Sequence, residues 1–292
     1  MGKMKGIKIG FALVIIFSFG IFIGWKLKDR QILYQKKTNQ ELETERISKK
    51  TENENEIEKT ETKESVTTES VKKVSETEIN KRKAGDIVTE EELKELDVKK
   101  LFYQEIIPDQ VFQRMKGKTY KEDCTVPKEN LRYIRILHYG FDSQTHIGEL
   151  VANQIIANDL VEIFEKLWDE KYPIEKIVLV DEYNADDMES MKDNNTSCFN
   201  YRTVPGSTNL SNHAKGLAID INPLYNPYLK KVNGEWTCQP EEGWAYSDRT
   251  KEFLYKIDKE DLCYQLFQEH GFFWGGHWET MKDYQHFQKE NK

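Results

Sequence analysis

The chain has 292 residues, 43 Lys and Arg against 51 Asp and Glu, and a formal net charge of -8. That balance argues against nucleic acid as a partner, because holding a phosphate backbone takes clustered Lys and Arg. Four cysteines without a C-x-x-C pair exclude a zinc ribbon. They leave open one or two disulfides or a set of buried thiols.

Residues Ile7 to Trp25 read IKIGFALVIIFSFGIFIGW, with Lys8 at the edge as the only charge. About 18 apolar residues match the hydrocarbon thickness of a bilayer. The run ends in Trp25-Lys26-Leu27-Lys28, not in a small-residue cleavage site. We therefore expect an uncleaved signal anchor within residues 1–30. Lysines lie on both sides of the run, so charge alone does not set its orientation.

Residues 31–88 are rich in Glu, Lys, Thr, Ser and Asn, with no aromatic residue between Tyr34 and Phe102. Such a segment buries too little surface to offset its ordering entropy, and no apolar heptad runs through it. It reads as a charged, flexible stalk, spanning on the order of 40 Å if it behaves as a random coil.

The remaining residues, 89–292, hold all six histidines and every proline. Roughly 200 residues suffice for a substantial core. Thr89-Glu90-Glu91-Glu92 has the form of a capping box and predicts a short helix carrying Leu93, Leu96 and Leu101. Leu131 to Leu137 reads as a strand. Glu149 to Lys171 carries apolar residues at helical spacing and ends before Pro173. Lys176 to Asp181 and Gly216 to Asn222 read as buried strands. Asp258 to His270 reads as a helix stopped by Gly271. Phe272 to Trp274 and Tyr284 to Gln288 read as short closing strands. Irregular alternation with long loops predicts an α+β fold, a small antiparallel sheet with flanking helices around a metal site.

The chemistry concentrates in Ser211-Asn212-His213-Ala214-Lys215-Gly216-Leu217-Ala218-Ile219-Asp220. Along the strand, Leu217, Ile219 and Ile221 share one face while Ala218, Asp220 and Asn222 share the other. A carboxylate inside so apolar a strand is costly unless it is paired or metal-bound. A loop histidine folded back over it supplies two ligands that suit Zn²⁺. Downstream, Lys282-Asp283-Tyr284-Gln285-His286 supplies an acid and a histidine three residues apart. With His286 as third ligand the set becomes His-Asp-His with a fourth position open to water, the catalytic pattern. Asp283 is then placed to act as general base.

S-x-H-x-x-G-x-A-x-D followed by D-x-x-H resembles the M15 zinc peptidases. This family includes D-alanyl-D-alanine carboxypeptidases and L-alanyl-D-glutamate endopeptidases. The phrases HYGFD from His138, NNTSCFNYR from Asn194, AIDINPLYNPY from Ala218 and WGGHW from Trp274 extend the resemblance. Asp rather than Glu three residues before the last histidine is similar to the endopeptidase-like branch. The resemblance implies zinc on His213, Asp220 and His286, Asp283 as base, Arg202 assisting the substrate carbonyl, and Ser211 contacting substrate or orienting His213. It also implies hydrolysis of peptidoglycan stem peptides, and so a domain held outside the cytoplasm by a single membrane span.

His277 is a rim residue at most, because three ligands are already present. His138 and His146 read as structural, Trp274 as core, and Trp278 as core or cleft wall. The stretch from Lys230 to Gly243 reads as an insertion that shapes the pocket. A non-catalytic metal-binding module that recognises cell wall or a partner is the alternative function. An acid beside an open metal position favours the enzyme.

Overall fold

The computed structural model describes residues 74–204 and 207–290. The apolar run Ile7–Trp25 and residues 31–73 lie outside the described residues. Among those described, no helix is long and apolar enough to cross a membrane.

The packed structure takes in residues 74–88, which were expected in the stalk. Helix α1 (Glu76–Ile79) starts from a capping box between Ser75 and Glu78, and Ile79 is buried in the core. Strand β1 (Ile87–Val88) follows, with Val88 buried. A Val and an Ile spaced among charges look solvated in sequence. They are buried here because distant elements supply their partners. Helix α2 (Glu90–Glu95) has the predicted box, with the Thr89 side chain accepting from Glu92 N and Glu92 accepting from Thr89 N.

The larger sheet is antiparallel in the order β1-β4-β3-β2, with β2 Tyr103–Ile106, β3 Leu131–Tyr139 and β4 Thr145–Asn153. Helix α3 (Asp109–Met115) precedes β3. Helix α4 (Gln154–Asp169) lays Ile156, Leu160, Ile163, Phe164 and Leu167 into one core with Ile134 and Ile136 of β3. Leu131 and Tyr133 of β3 and Val151 of β4 join a second core with Val111, Met115, Phe199 and Ala214. The sheet thus has apolar packing on both faces, and each fully buried Leu, Ile or Phe contributes roughly 1.5–3 kcal/mol.

The helix expected from Glu149 begins instead at Gln154. Residues Glu149–Asn153 belong to β4, which lies between β1 and β3 and is buried at every position from Ile147 onward. Burial on both faces erases the alternation that marks a strand. Asn153 marks the change, its side chain accepting from Ile155 N at 3.1 Å. Lys176–Asp181 forms no regular ladder. Its amides are met singly, Val178 N by the Asn195 side chain at 2.9 Å, while Ile177 O accepts from Glu149 N at 3.1 Å. A helical turn, Val180–Tyr183, ends it, and helix α5 (Asp187–Lys192) follows.

Two three-stranded antiparallel sheets complete the fold. One has the order β5-β10-β8, with β5 Ala218–Asp220, β8 Phe273–Trp274 and β10 His286–Gln288. The other has the order β7-β6-β9, with β6 Tyr228–Val232, β7 Glu235–Gln239 and β9 Met281–Asp283. The suspected insertion from Lys230 is thus mostly the β6–β7 hairpin. Helix α6 (Leu262–Glu269) is shorter than expected, because Asp261 caps it by accepting from Cys263 N at 2.9 Å. Gly271 ends the segment at φ +76°. All four cysteines are free thiols, which settles the disulfide alternative. The fold is α+β, as expected, but with three small antiparallel sheets rather than one.

Candidate metal centre and cleft

His213 sits on a single helical turn, His213–Lys215, built by its neighbours. The Ser211 hydroxyl accepts from Ala214 N at 3.2 Å. Gly216 closes the turn at φ +67°, where its backbone passes so near β4 that a Cβ would lie 2.6 Å from Asn153 N. Asn153 N donates to Gly216 O at 2.8 Å, and the Asn153 side chain donates to Lys215 O at 3.1 Å. The turn is therefore pinned to the end of the larger sheet.

Asp220 and His286 are directly paired across β5 and β10. Paired residues point to the same face, and here that face looks into the cleft, while the adjacent Ile219 and Phe287 enter the core. His286 Nδ1 lies 3.0 Å from Asp220 Oδ1 and 3.2 Å from His213 Nε2, and His213 Nε2 lies 3.2 Å from Asp220 Oδ2. His213, Asp220 and His286 are the cluster of potential ligands found among the described residues, their donor atoms within 4.8 Å of one another.

The two ring nitrogens facing away are committed elsewhere. His213 Nδ1 donates to Cys198 O at 2.7 Å. His286 Nε2 donates to Gln288 Oε1 at 2.9 Å, an oxygen that also accepts from Asn212 Nδ2 at 2.7 Å. These bonds leave Nε2 of His213 and Nδ1 of His286 to a cation. Burial by itself would raise the Asp220 carboxyl, but His213 and His286 hold it below the usual carboxylate range. Burial opposes charge on His286 as well, yet the Asp220 carboxylate raises it to about 9. The pocket attracts positive charge, and its two imidazoles and one carboxylate fit a zinc ion.

Asp283 ends β9, and residues 284–285 turn the chain before β10. On one continuous strand two residues three apart would face opposite ways, but Asp283 and His286 belong to separate strands. Asp283 Oδ1 is buried without a hydrogen-bond partner. Burial, and then the negative charge of Asp220, push the Asp283 carboxyl up to about 7, against the pull of His286 and Arg202. A carboxyl in that range can exchange a proton at neutral pH.

These groups line a cleft of about 640 Å³. Arg202 and Ser211 also line it, and so does Trp278, whose ring lies 5.4 Å from that of His286. Met188, Met191 and Leu210 form part of the walls, with Tyr228 and Met281 from the β6–β9 pair. His277 does not line the cleft; its Nε2 meets Tyr264 OH at 3.4 Å and its ring packs on Trp274. His138 and His146 stack on one another, with His138 Nδ1 donating to Ile174 O at 2.8 Å.

Asp187 and Gln288 are among the cleft residues that escaped notice in the sequence. Asp187, from α5, forms an ion pair with Arg202. Nothing local marks it, since a short helix brought in by tertiary packing supplies it. Gln288 lies two residues after His286, and period-2 alternation would have placed it on the same face.

Residues 205–289 match a family model of the M15 peptidases described as D-alanyl-D-alanine carboxypeptidase. The matched segment contains His213, Asp220, Asp283 and His286, and begins just after Arg202. No curated protein and no solved structure matches the chain. Over residues 205–289 the chain is therefore similar to the M15 peptidases.

Proposed function

We propose that this protein is a zinc-dependent peptidase that hydrolyses the stem peptides of peptidoglycan. His213 Nε2, His286 Nδ1 and an Asp220 carboxylate oxygen would hold the ion. When bound, zinc supplies a Lewis acid and lowers the pKa of water in its open position toward about 7.

The rest falls to the chain's own side chains. Asp283 Oδ1 takes a proton from the attacking water and later returns it to the leaving amine, breaking the C–N bond. Arg202 offers an N–H to the carbonyl oxygen that gains charge. Trp278, Met191 and Leu210 exclude solvent around the peptide. Ser211 shapes the turn that carries His213. The observation that carries this reading is a buried carboxyl, raised to about 7 and with one unpartnered oxygen, in the same cleft as a convergent His-Asp-His set.

The apolar run at Ile7–Trp25 supports a domain tethered to the outer face of the cell membrane, within reach of the wall. The test is to incubate the full-length protein, loaded with zinc, with purified muropeptides and to identify products by mass spectrometry. Peptide cleavage that Asp283→Ala abolishes supports the reading. Intact muropeptides, with zinc still bound, would sink it and favour a metal-binding module.

A further inference from the structure

Six side-chain nitrogen or oxygen atoms among the described residues are buried without a hydrogen-bond partner. Three of them belong to residues that line the cleft: Arg202 Nε, Asp283 Oδ1 and Gln285 Oε1. A buried polar group is costly when unpaired, so their gathering in one cleft points to a ligand that supplies the partners. The proposed function uses two of them. Asp283 Oδ1 exchanges a proton with water, and Arg202 offers an N–H to the carbonyl oxygen. Gln285 Oε1 is left over, an acceptor on a residue that is only 1% exposed.

The backbone around Gln285 is held on both sides. Gln285 O accepts from Ile221 N at 3.0 Å, and Tyr284 O accepts from Trp274 Nε1 at 2.9 Å. The Gln285 side chain acts as a hydrogen-bond donor toward the Asp283 carboxyl, one of the influences that lower the pKa of that group. An ionised carboxylate only accepts, so it takes the NH₂ end of the amide and leaves the oxygen for another donor. The result is a fixed acceptor beside the proposed base. A peptide bond offers one acceptor and one donor, its C=O and its N–H. Arg202 meets the first, and Gln285 Oε1 is the remaining atom of the right kind for the second.

We propose that Gln285 is a further catalytic residue, whose Oε1 accepts the N–H of the peptide nitrogen that leaves. This rests on the peptidase reading above and holds for whichever bond of the stem peptide is cut. Once water has added to the carbonyl carbon, the nitrogen becomes pyramidal and gains a lone pair. With its N–H held by Gln285, that lone pair turns toward Asp283 at a neighbouring corner of the nitrogen. The proton that Asp283 took from water passes to the lone pair, and the electron pair of the breaking C–N bond stays on the departing amine. A leaving group with oxygen in place of the N–H presents a second acceptor to Gln285 Oε1, and that contact is lost.

The test uses the full-length, zinc-loaded protein and two synthetic stem peptides that differ only at the bond the protein cleaves in muropeptides. One keeps the amide, and the other is the ester with oxygen in place of N–H. Gln285→Met fills the site without an amide oxygen. It should lower the amide-to-ester ratio of kcat/KM by about tenfold or more relative to wild type. The fraction of folded or zinc-loaded enzyme cancels from this ratio. A role confined to holding Asp283 would slow both substrates alike, because nitrogen and oxygen leaving groups both take their proton from it. Gln285→Glu keeps an acceptor oxygen and should hold the ratio near the wild-type value even as both rates fall. Gln285→Asn draws the acceptor back by one methylene and should lower the ratio too, which keeps the test open if the Met variant does not fold. An unchanged ratio in the folded variant overturns the role of Gln285 and leaves the peptidase reading standing. Wild-type protein that cleaves neither muropeptides nor the two peptides removes the peptidase reading itself, and this inference with it.

Discussion

Asp220 and His286 face each other across the β5–β10 ladder, and His286 Nδ1 lies 3.0 Å from Asp220 Oδ1. Backbone pairing therefore sets one edge of the metal centre before any ion arrives. The other edge depends on the turn that Gly216 docks against β4. A site assembled this way responds to changes in its supports as well as in its ligands.

Gln288 is one such support, because its oxygen holds His286 Nε2–H and turns Nδ1 toward the cluster. Gln288→Leu should weaken zinc binding by about 10–100-fold. Gln288→Glu, which still accepts that bond, should retain most of the affinity. Competition with a chromophoric chelator measures both, and equal affinity for Leu and wild type would remove the support role.

Asp283 should separate chemistry from metal binding. Asp283→Asn should lower kcat by about 10²–10⁴-fold, the range for losing a general acid–base. Zinc content, read by atomic absorption, should stay at the wild-type level because Asp283 is not among the three clustered donors.

Gly275 packs where no side chain fits. A Cβ there would lie 2.7 Å from Asp283 O and 2.8 Å from Asp283 Cβ. Gly275→Ala should push Asp283 and β9 away from the turn at Gly275–His277, with an overpacking cost of about 1–3 kcal/mol. Both thermal stability and kcat should fall, whereas Gly234→Ala, with nothing within 4 Å of the added atom, should leave kcat unchanged.

The pH dependence of stability should carry the mark of His138. Burial lowers its pKa from 6.5 to about 3, helped by His146 and opposed by the Ile174 carbonyl and by Asp142. Above pH 6.5 the ring is neutral in both folded and unfolded chains. Between pH 6.5 and 3 the unfolded chain takes up a proton that the folded one refuses, so stability falls with pH, by at most about 1.4 kcal/mol per unit. His138→Asn, whose side-chain amide can replace the bond to Ile174 O, should flatten that slope. Urea unfolding of both proteins at pH 7 and pH 5 checks it.

Local rules suffice for much of this protein. Thr89 and Glu92 form their box whatever surrounds them, because the bonds span three residues. An acid between Ile219 and Ile221, a histidine before a tight Gly turn and a second acid–histidine pair mark the centre without any knowledge of contacts. Period and burial go together for α4, which has one apolar face. They part at Glu149–Asn153, where a central strand is buried on both sides and reads as a helix. Tertiary structure alone decides which atoms meet. It turns the chain at residues 284–285 so that Asp283 and His286 share a cleft, and it commits His286 Nε2 to Gln288. It also carries Asp187 on α5 to Arg202. Charge pairing across a cleft depends on distances between segments, and spacing along the chain does not encode those distances.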